Sequence, residues 1–332
     1  MFENLIEVLK NDPRKIVYTE GSDARILESA ARLKKDGFLT PILVGKVDEV
    51  KAAAAKGGFD IEGLEILDPA TYEGMDAMVD EMVALRKGKM SAEDCRAALS
   101  KGNYFGTMLV KMGVADCLLG GATYSTADTV RPALQLVKTK KGAHLVSSCF
   151  IMIRSDETLA MGDCAINIDY QDTVDKEGNV TFTAAQKLAE VAIATAETAK
   201  VFGIDPKVAM LSYSTKGSGK GPNVDLVRNA TEEAKKLAPE LKLDGEMQFD
   251  AAVSPVVGQL KFPGSPVAGY ANTFIFPEIQ SGNIGYKIAA RLGGFAAYGP
   301  ILQGLNAPIN DLSRGCNAEE VYQMSIITAA LK

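Results

Sequence analysis

The segment RKIVYTEGSDARILESAARL (14–33) decides the fold of the amino-terminal half. It opens with the β-rich run RKIVYTEG (14–21). Ile26, Ala30 and Leu33 then follow at the i, i+4, i+7 spacing of one helix face. A strand followed by an amphipathic helix is the repeating unit of parallel sheets covered by helices. The segment therefore predicts an α/β fold.

The same alternation extends along the chain. Further strands are predicted at TPILVG (40–45), LEILD (64–68) and CLLGG (117–121), each before a helical pattern. The second half is less regular, with strand candidates HLVSSCFIMI, DCAINID, KVAMLSYST, EMQFDAAV and NTFIFP. Helices are predicted over 183–202, 222–238, 281–293 and 318–331. The polar, turn-rich segment DYQDTVDKEGNV (169–180) predicts a hairpin or a surface excursion.

Composition narrows the class of protein. The 332 residues suffice for about two domains, and the net charge of -6 disfavours nucleic-acid binding. No stretch approaches the ~20 apolar residues of a membrane span, and the start lacks the apolar core of a signal peptide. Five cysteines without CxxC spacing indicate reduced thiols. We therefore expect a cytoplasmic protein without membrane contact.

The single histidine, His144, excludes whole classes of mechanism. Multi-histidine metal sites are impossible, and a Ser-His-Asp triad could form only through this residue. His144 lies in an apolar, β-rich run, which favours a structural role. We expect no metal site.

The glycine-rich loop STKGSGKGPN (214–223) resembles a phosphate cradle but fails the P-loop pattern. Ser214 stands where the first glycine belongs, and Gly221 follows Lys220 where a Ser or Thr is required. Pro222 also breaks the dinucleotide-binding pattern. The loop is either an anion-binding turn that includes Ser214 and Thr215, or a plain connection.

A second strand–turn–helix boundary lies at GGATYSTADTVRP (120–132). Ser125 and Asp128 fit a helix-capping arrangement, with Thr126 beside them. Arg131 falls in an early turn of the helix, where a cation is unfavourable unless an anion is near. The segment is an anion site, or Arg131 simply faces solvent.

The third motif is NDLSRGCNAEE (310–320). It places Ser313, Arg314 and Cys316 just before a predicted helix. Asn317 and Glu320 have the spacing of a capping box, so Glu320 is either a helix cap or part of a site for a charged ligand.

These motifs, in this order, resemble the phosphate acetyl/butyryltransferase family. The resemblance covers essentially the whole chain. It rests on the following runs: LRKGK (85–89), GGATYSTADTVRPALQ (120–135), MLSYSTKGS (210–218), PGSPVAGYANTFIFPEIQSGNIGYKIAARL (263–292), AYGPILQGL (297–305) and PINDLSRGC (308–316).

The resemblance implies a fold and a reaction. It implies two α/β/α domains of isocitrate/isopropylmalate-dehydrogenase-like type with an interdomain cleft. Domain I would comprise residues 1–142 and 298–332, and domain II residues 143–297. The reaction would be acetyl-CoA plus phosphate giving acetyl phosphate plus CoA, without a covalent intermediate. CoA would be a substrate with no tightly bound cofactor, and the enzyme would be a homodimer.

The resemblance also assigns roles. Ser313 is the catalytic serine, Arg314 holds the phosphoryl group, and Arg86 and Arg131 bind CoA. The family's general base is an aspartate seven residues after the serine; here that position is Glu320. Ser125, Thr126, Ser214, Thr215 and Cys316 complete the expected substrate contacts.

Chemical arguments support the role of Arg314 in phosphate binding more firmly than the role of Glu320 as the general base. Arginine is a two-pronged donor suited to phosphate. A typical glutamic acid, with a pKa of ~4.3, is some four units too acidic to deprotonate a thiol of pKa ~8.5 unless burial raises its pKa or proton removal accompanies attack. Cys316 lacks an activating histidine, which disfavours an acyl-cysteine route. The remaining alternatives are a phosphate butyryltransferase and a non-catalytic acyl-CoA-sensing module.

Overall fold

The computed structural model describes residues 2–332, and it divides the chain into two compact units. The first comprises Met1–Gly142, described from Phe2 onward, with Leu305–Lys332, and the second comprises Ala143–Gly304. Both contain helices and a β-sheet, so the α/β prediction is confirmed.

The first unit is built on a five-stranded parallel sheet. Its strands are β1 (Arg14–Tyr18), β2 (Leu39–Val44), β3 (Glu65–Leu67), β4 (Cys117–Gly120) and β13 (Ile309–Asp311). Their order in the sheet is β13-β4-β1-β2-β3. Its helices are α1 (Phe2–Asn11), α2 (Ala24–Asp36), α3 (Val47–Gly57), α4 (Met75–Arg86), α5 (Ala92–Leu99), α6 (Gly102–Lys111), α7 (Thr126–Pro132), which continues as a π-helical turn (Ala133–Val137), and α13 (Ala318–Ala330).

The core of this unit explains why the sequence adopts it. Ile16, Val17 and Tyr18 of β1 are fully buried, and the face of α2 that carries Ile26, Ala30 and Leu33 is buried as its spacing predicts. Asp23 caps α2 by accepting the Arg25 N–H at 2.9 Å, and Gly37 ends the helix in the left-handed conformation.

The second unit has a six-stranded mixed sheet of order β10-β9-β11-β6-β5-β12. Its strands are β5 (Ser147–Arg154), β6 (Glu157–Gly162), β9 (Lys207–Leu211), β10 (Lys242–Met247), β11 (Thr273–Ile275) and β12 (Ala296–Gln303). Strands β7 (Thr173–Val174) and β8 (Val180–Phe182) form the predicted hairpin. The helices are α8 (Ala184–Val201), α9 (Pro222–Leu237), α10 (Phe249–Val253), α11 (Pro255–Lys261) and α12 (Ile279–Arg291).

Two sequence expectations are wrong in this unit. DCAINID is not a strand, because the Asp163 carboxylate accepts the N–H groups of Ala165, Ile166 and Asn167 and turns the chain. EMQFDAAV contains the end of β10 followed by helix α10.

The expected domain boundary at residue 298 differs from the boundary between the two compact units, where the first unit resumes at Leu305. Residues 298–303 continue β12, which pairs antiparallel with β5, and Gly304 still belongs to the second unit.

Candidate functional site

The strand order of the first unit brings three polar loops to one edge of its sheet. Strands β1, β4 and β13 are neighbours and parallel, so their carboxyl ends lie side by side. The loops that follow them begin at Thr19, Gly121 and Leu312. In open α/β sheets this edge is where ligands bind.

The loop after β4 is held by a carboxylate of the protein itself. Glu20 accepts the N–H groups of Gly121, Ala122 and Thr123 at 3.0, 3.3 and 2.6 Å, and the Thr123 hydroxyl at 2.7 Å. These backbone donors form an anion-binding turn, as the glycine pair suggested, but Glu20 occupies it.

Helix α7 begins at this loop, and its first hydroxyl groups have internal partners. Ser125 is the N-cap, but its hydroxyl donates to Asp128 at 2.7 Å instead of accepting a backbone N–H, so the predicted cap forms only in part. Thr126 and Thr129 donate their hydroxyls to the Asp311 carboxylate at 2.5 and 2.6 Å.

Asp311 ends β13 and is buried. Burial raises the pKa of this carboxyl to about 6, against the lowering effect of the two threonine hydroxyls. The negative charges of Glu20 and Asp128 add to the increase.

Ser313 and Arg314 lie in a tight turn at the surface. The Cys316 N–H donates to the Ser313 carbonyl at 3.0 Å, and the Gly315 N–H donates to the Ser313 hydroxyl oxygen at 3.2 Å. The side chains of Ser313 and Arg314 are both exposed. The turn therefore presents a hydroxyl and a guanidinium to solvent together.

Arg25 of α2 fastens this turn to the loop after β4. Its guanidinium donates to the carbonyls of Arg314 and Cys316 at 2.9 and 3.1 Å, and to that of Ala122 at 2.9 Å. Asp23 orients it through two further bonds, and that hydrogen-bonded pair raises the pKa of Arg25.

The arginines of the first unit fall into two groups. Four pair with carboxylates: Arg14, Arg25, Arg32 and Arg96. Within residues 2–332, no hydrogen bond or ion pair involves the guanidinium groups of Arg86, Arg131 and Arg314. Arg86 has a buried Nε without a partner, which is an unusual state for a buried donor. These are the arginines that the resemblance assigned to substrates.

Tyr104 lies on α6 and is half-buried. Its hydroxyl donates to Gln135 at 3.0 Å, and burial raises its pKa while the charges of Arg131 and Arg86 act in the opposite direction. Arg86 and Arg131 therefore lie within electrostatic range of one phenol group.

Glu320 forms the predicted capping box of α13. Its N–H donates to the Asn317 side chain at 2.9 Å, and its carboxylate accepts the Asn317 N–H at 3.2 Å. The carboxylate is exposed in the first turn of α13.

The Cys316 thiol differs from an activated nucleophile. It is buried, and burial raises its pKa, although the nearby Arg25 charge opposes the increase. The only histidine pairs with Glu190 through Nδ1 at 2.6 Å and stacks on Phe182 at 3.9 Å. His144 thus has a structural environment.

Ser214 and Thr215 lie in the second unit and are buried. The Ser214 hydroxyl donates to Glu246 at 2.9 Å, and the Thr215 hydroxyl oxygen accepts the Gln248 N–H at 2.9 Å. Their hydroxyls hold the glycine-rich loop in place, which leaves the Lys216–Lys220 stretch as the outer part of the loop.

A cavity of about 550 Å³ lies beside Glu20, at the carboxyl ends of β1, β2 and β3. Its lining includes Ser22, Lys46 and Ser100. No group of three or more potential metal ligands occurs among residues 2–332, and no helix in that range is long and apolar enough to cross a membrane.

Sequence reasoning did not find Glu20, Arg25 and Tyr104. Glu20 lies in the loop after β1 and Arg25 at the start of α2, and polar residues after a parallel strand are a general signal for a site. Tyr104 lies in the chain between Arg86 and Arg131 but carries no motif, so only the structure identifies it.

Comparison with known proteins supports the resemblance. The family model "Phosphate acetyl/butaryl transferase" matches residues 1–329. A phosphate acetyltransferase from Bacillus subtilis is 52% identical over 99% of this chain and 98% of its own length. A phosphotransacetylase structure from Streptococcus pyogenes has a TM-score of 0.93 at 54% identity, covering 99% of this chain and 97% of its own. One from Staphylococcus aureus has a TM-score of 0.87 at 48% identity, with 99% and 98% covered. With its sequence matched from end to end and its fold shared, the chain belongs to the phosphate acetyl/butaryl transferase family.

Proposed function

We propose that this protein is a phosphate acetyltransferase that moves an acetyl group directly between CoA and inorganic phosphate. The observation that carries the proposal is the set of three arginines, Arg86, Arg131 and Arg314, whose guanidinium groups have no protein partner among the described residues. Two polyanionic substrates require such fixed cations to overcome their mutual repulsion in a protein of net charge -6.

In the proposed reaction, the CoA thiolate attacks the acetyl carbonyl carbon of acetyl phosphate. A carbon–sulfur bond forms, the carbon–oxygen bond to phosphate breaks, and inorganic phosphate leaves. Arg314 holds the phosphoryl group through its fork of N–H donors, and the Ser313 hydroxyl donates to the reacting carbonyl oxygen or sulfur. Arg86 and Arg131 bind anionic groups of CoA.

Glu320 is the proposed acceptor of the thiol proton. It lies on the first turn of α13, seven residues after Ser313, and the capping box fixes its position. Because an exposed carboxylate is a weak base towards a thiol, proton removal must be concerted with attack on the carbonyl. Glu320 then serves both in the capping box of α13 and as the base of the reaction.

A direct transfer is favoured over an acyl-cysteine route. The Cys316 thiol is buried with a raised pKa, and the ring of His144 is engaged with Glu190 and Phe182. Cys316 instead shapes the substrate-binding turn, where its carbonyl anchors Arg25.

Acetyl transfer is favoured over the alternatives by the relatives' names. The curated relatives at 49–52% identity are phosphate acetyltransferases. A branched-chain phosphotransacylase from Enterococcus faecalis shares the fold at only 18% identity. A sensing module without catalysis does not account for a serine and an arginine presented together on an exposed turn.

The proposal includes a homodimer in the cytoplasm. Helix α12 exposes Ile284 and Ile288, and its C-cap Leu292 continues the i, i+4, i+8 spacing; the three side chains are 58, 53 and 85% accessible. An apolar stripe of this kind marks an interaction surface, here for a second copy of the chain. The five cysteines are free and buried, as suits a reducing compartment. Light scattering should show a dimer that Ile288→Glu weakens. Leu237→Glu, at an exposed leucine at the end of α9, should not.

The decisive assay compares acyl phosphates. We expect purified protein to convert acetyl phosphate and CoA to the thioester at a higher kcat/KM than butyryl phosphate, without added metal. A faster reaction with butyryl phosphate would assign the other branch of the family. No reaction with either acyl phosphate, in protein shown to be folded, would contradict the enzyme assignment.

A further inference from the structure

Asp311 is a buried carboxylate that the proposed reaction does not use. It ends β13, two residues before Ser313, and only 2% of it is accessible. Its Oδ2 accepts the Thr126 hydroxyl at 2.5 Å, and its Oδ1 accepts the Thr129 hydroxyl at 2.6 Å. Such lengths are typical of hydroxyl donors to an ionised carboxylate.

These bonds join two parts of the candidate site. Both threonines lie on α7, the helix that carries Arg131, whereas Asp311 lies on the strand that leads into Ser313 and Arg314. The β4 loop packs closely against the same carboxylate: a Cβ at Gly121, whose φ is +95°, would meet Oδ1 at 2.2 Å. The Asp311 carboxylate is therefore wedged between the two segments.

We propose that ionised Asp311 is a positioning residue that fixes helix α7, and with it Arg131, relative to the Ser313–Arg314 turn. The inference rests on the proposed function, because it gives Asp311 the task of aligning the CoA site with the phosphate site. Small displacements between two substrates are costly: about 1 Å can reduce a rate roughly 10²-fold.

Ionisation matters because only the charged carboxylate accepts both hydroxyls at once. When Asp311 is protonated, one of its oxygens becomes a donor, and one threonine hydroxyl must turn to accept. The charged or titratable groups that face Asp311 are Glu20 after β1, Asp128 on α7 and Tyr124 in the intervening loop. Burial and the two acidic neighbours raise the pKa of Asp311 to about 6, so alignment should be lost as the pH falls through that value.

The test is the pH dependence of kcat/KM for CoA between about pH 5 and 8. We expect wild-type activity to fall below pH ~6. Asp311→Asn should lower the plateau by roughly 10²-fold and abolish the limb near pH 6. Asp116→Asn, at a carboxylate just before β4, should retain the wild-type profile. Glu320→Gln should still show the decrease in kcat/KM near pH 6, even if its turnover is low. That result would assign the decrease to Asp311.

Two hydroxyl variants keep the test valid if Asp311→Asn folds poorly. Thr129→Val retains the side-chain shape and should lower kcat/KM by roughly 5–10-fold, the effect of one lost hydrogen bond, whereas Thr129→Ser keeps the hydroxyl and should recover most of that loss. Wild-type turnover in Asp311→Asn, or an unchanged limb in both Asp311→Asn and Thr129→Val, would overturn the inference. An inactive wild-type protein would instead overturn the proposed function.

Discussion

Replacing Arg25 with alanine tests how the Ser313–Arg314 turn, the proposed phosphate site, is held in place. The guanidinium donates to three backbone carbonyls, of Ala122, Arg314 and Cys316. Each bond from a charged donor contributes about 1.5–3 kcal/mol, but 26% of the Arg25 side chain is exposed and water replaces part of the loss. We therefore expect Arg25→Ala to destabilise the ordered conformation of the turn by about 3 kcal/mol. This corresponds to roughly a 10²-fold decrease in kcat/KM for phosphate.

The assay is steady-state kinetics of acetyl-CoA and phosphate, with thermal unfolding as the measure of stability. Arg25→Lys keeps the charge but not the fork, so it should fall between alanine and wild type. Arg32→Ala is the matched control, because Arg32 lies on the same helix in an exposed ion pair with Glu319 and should change kcat/KM little. If folded Arg25→Ala keeps its kcat/KM for phosphate within twofold, the turn does not depend on Arg25.

The remaining predictions concern the proposed substrate and base residues. Glu320→Gln should lower kcat by roughly 10²–10⁴ with little change in unfolding temperature, since Gln also serves in a capping box; near-normal turnover would remove Glu320 from the chemistry. Arg86→Ala and Arg131→Ala should each raise the KM for CoA roughly 10–150-fold, because each loses contacts worth about 1.5–3 kcal/mol of binding free energy. A pure kcat defect would contradict a role in CoA binding. Cys316→Ser should retain most activity, and mass spectrometry after acetyl phosphate alone should detect no acetylated enzyme; an acetyl-cysteine would establish a two-step route.

The local patterns predicted strands β1 to β4 of the first unit because each is a short apolar run followed by a helical pattern. Strand β13 was not predicted, because it is only three residues long and runs into the polar NDLSRGC motif. Strand β12 escaped prediction because it contains Gly299 and Pro300, which normally signal a turn. The structure accommodates them at a register shift in an edge strand, where a missing N–H is tolerated.

The candidate site was predictable in its residue types but not in its assembly. The motifs located Ser313, Arg314 and Arg131, and the spacing of Asn317 and Glu320 predicted the capping box that the structure contains. The contact from Arg25 to Cys316 spans 291 positions of the chain. No local pattern reports such a contact, because it arises only when β1 and β13 become near neighbours in one sheet.

The burial of Ser214 and Thr215 was not predictable from the sequence. Ser214 and Thr215 look like surface hydroxyls of a glycine-rich loop, yet both are buried against Glu246 and Gln248. Glu246 lies 32 positions from Ser214, so the partner that withdraws this hydroxyl from the surface is invisible in the motif.

The most direct test of the central claim measures acetyl-CoA formation from acetyl phosphate and CoA by wild type and Arg314→Gln in parallel, followed by the absorbance of the thioester. Wild type should produce acetyl-CoA with initial-rate lines that intersect when both substrates are varied, because both must be bound before transfer. Arg314→Gln removes the charged phosphate donor and should lose roughly 10²-fold or more in kcat/KM for acetyl phosphate. Parallel initial-rate lines, or an Arg314→Gln enzyme as active as wild type, would contradict direct transfer at this turn.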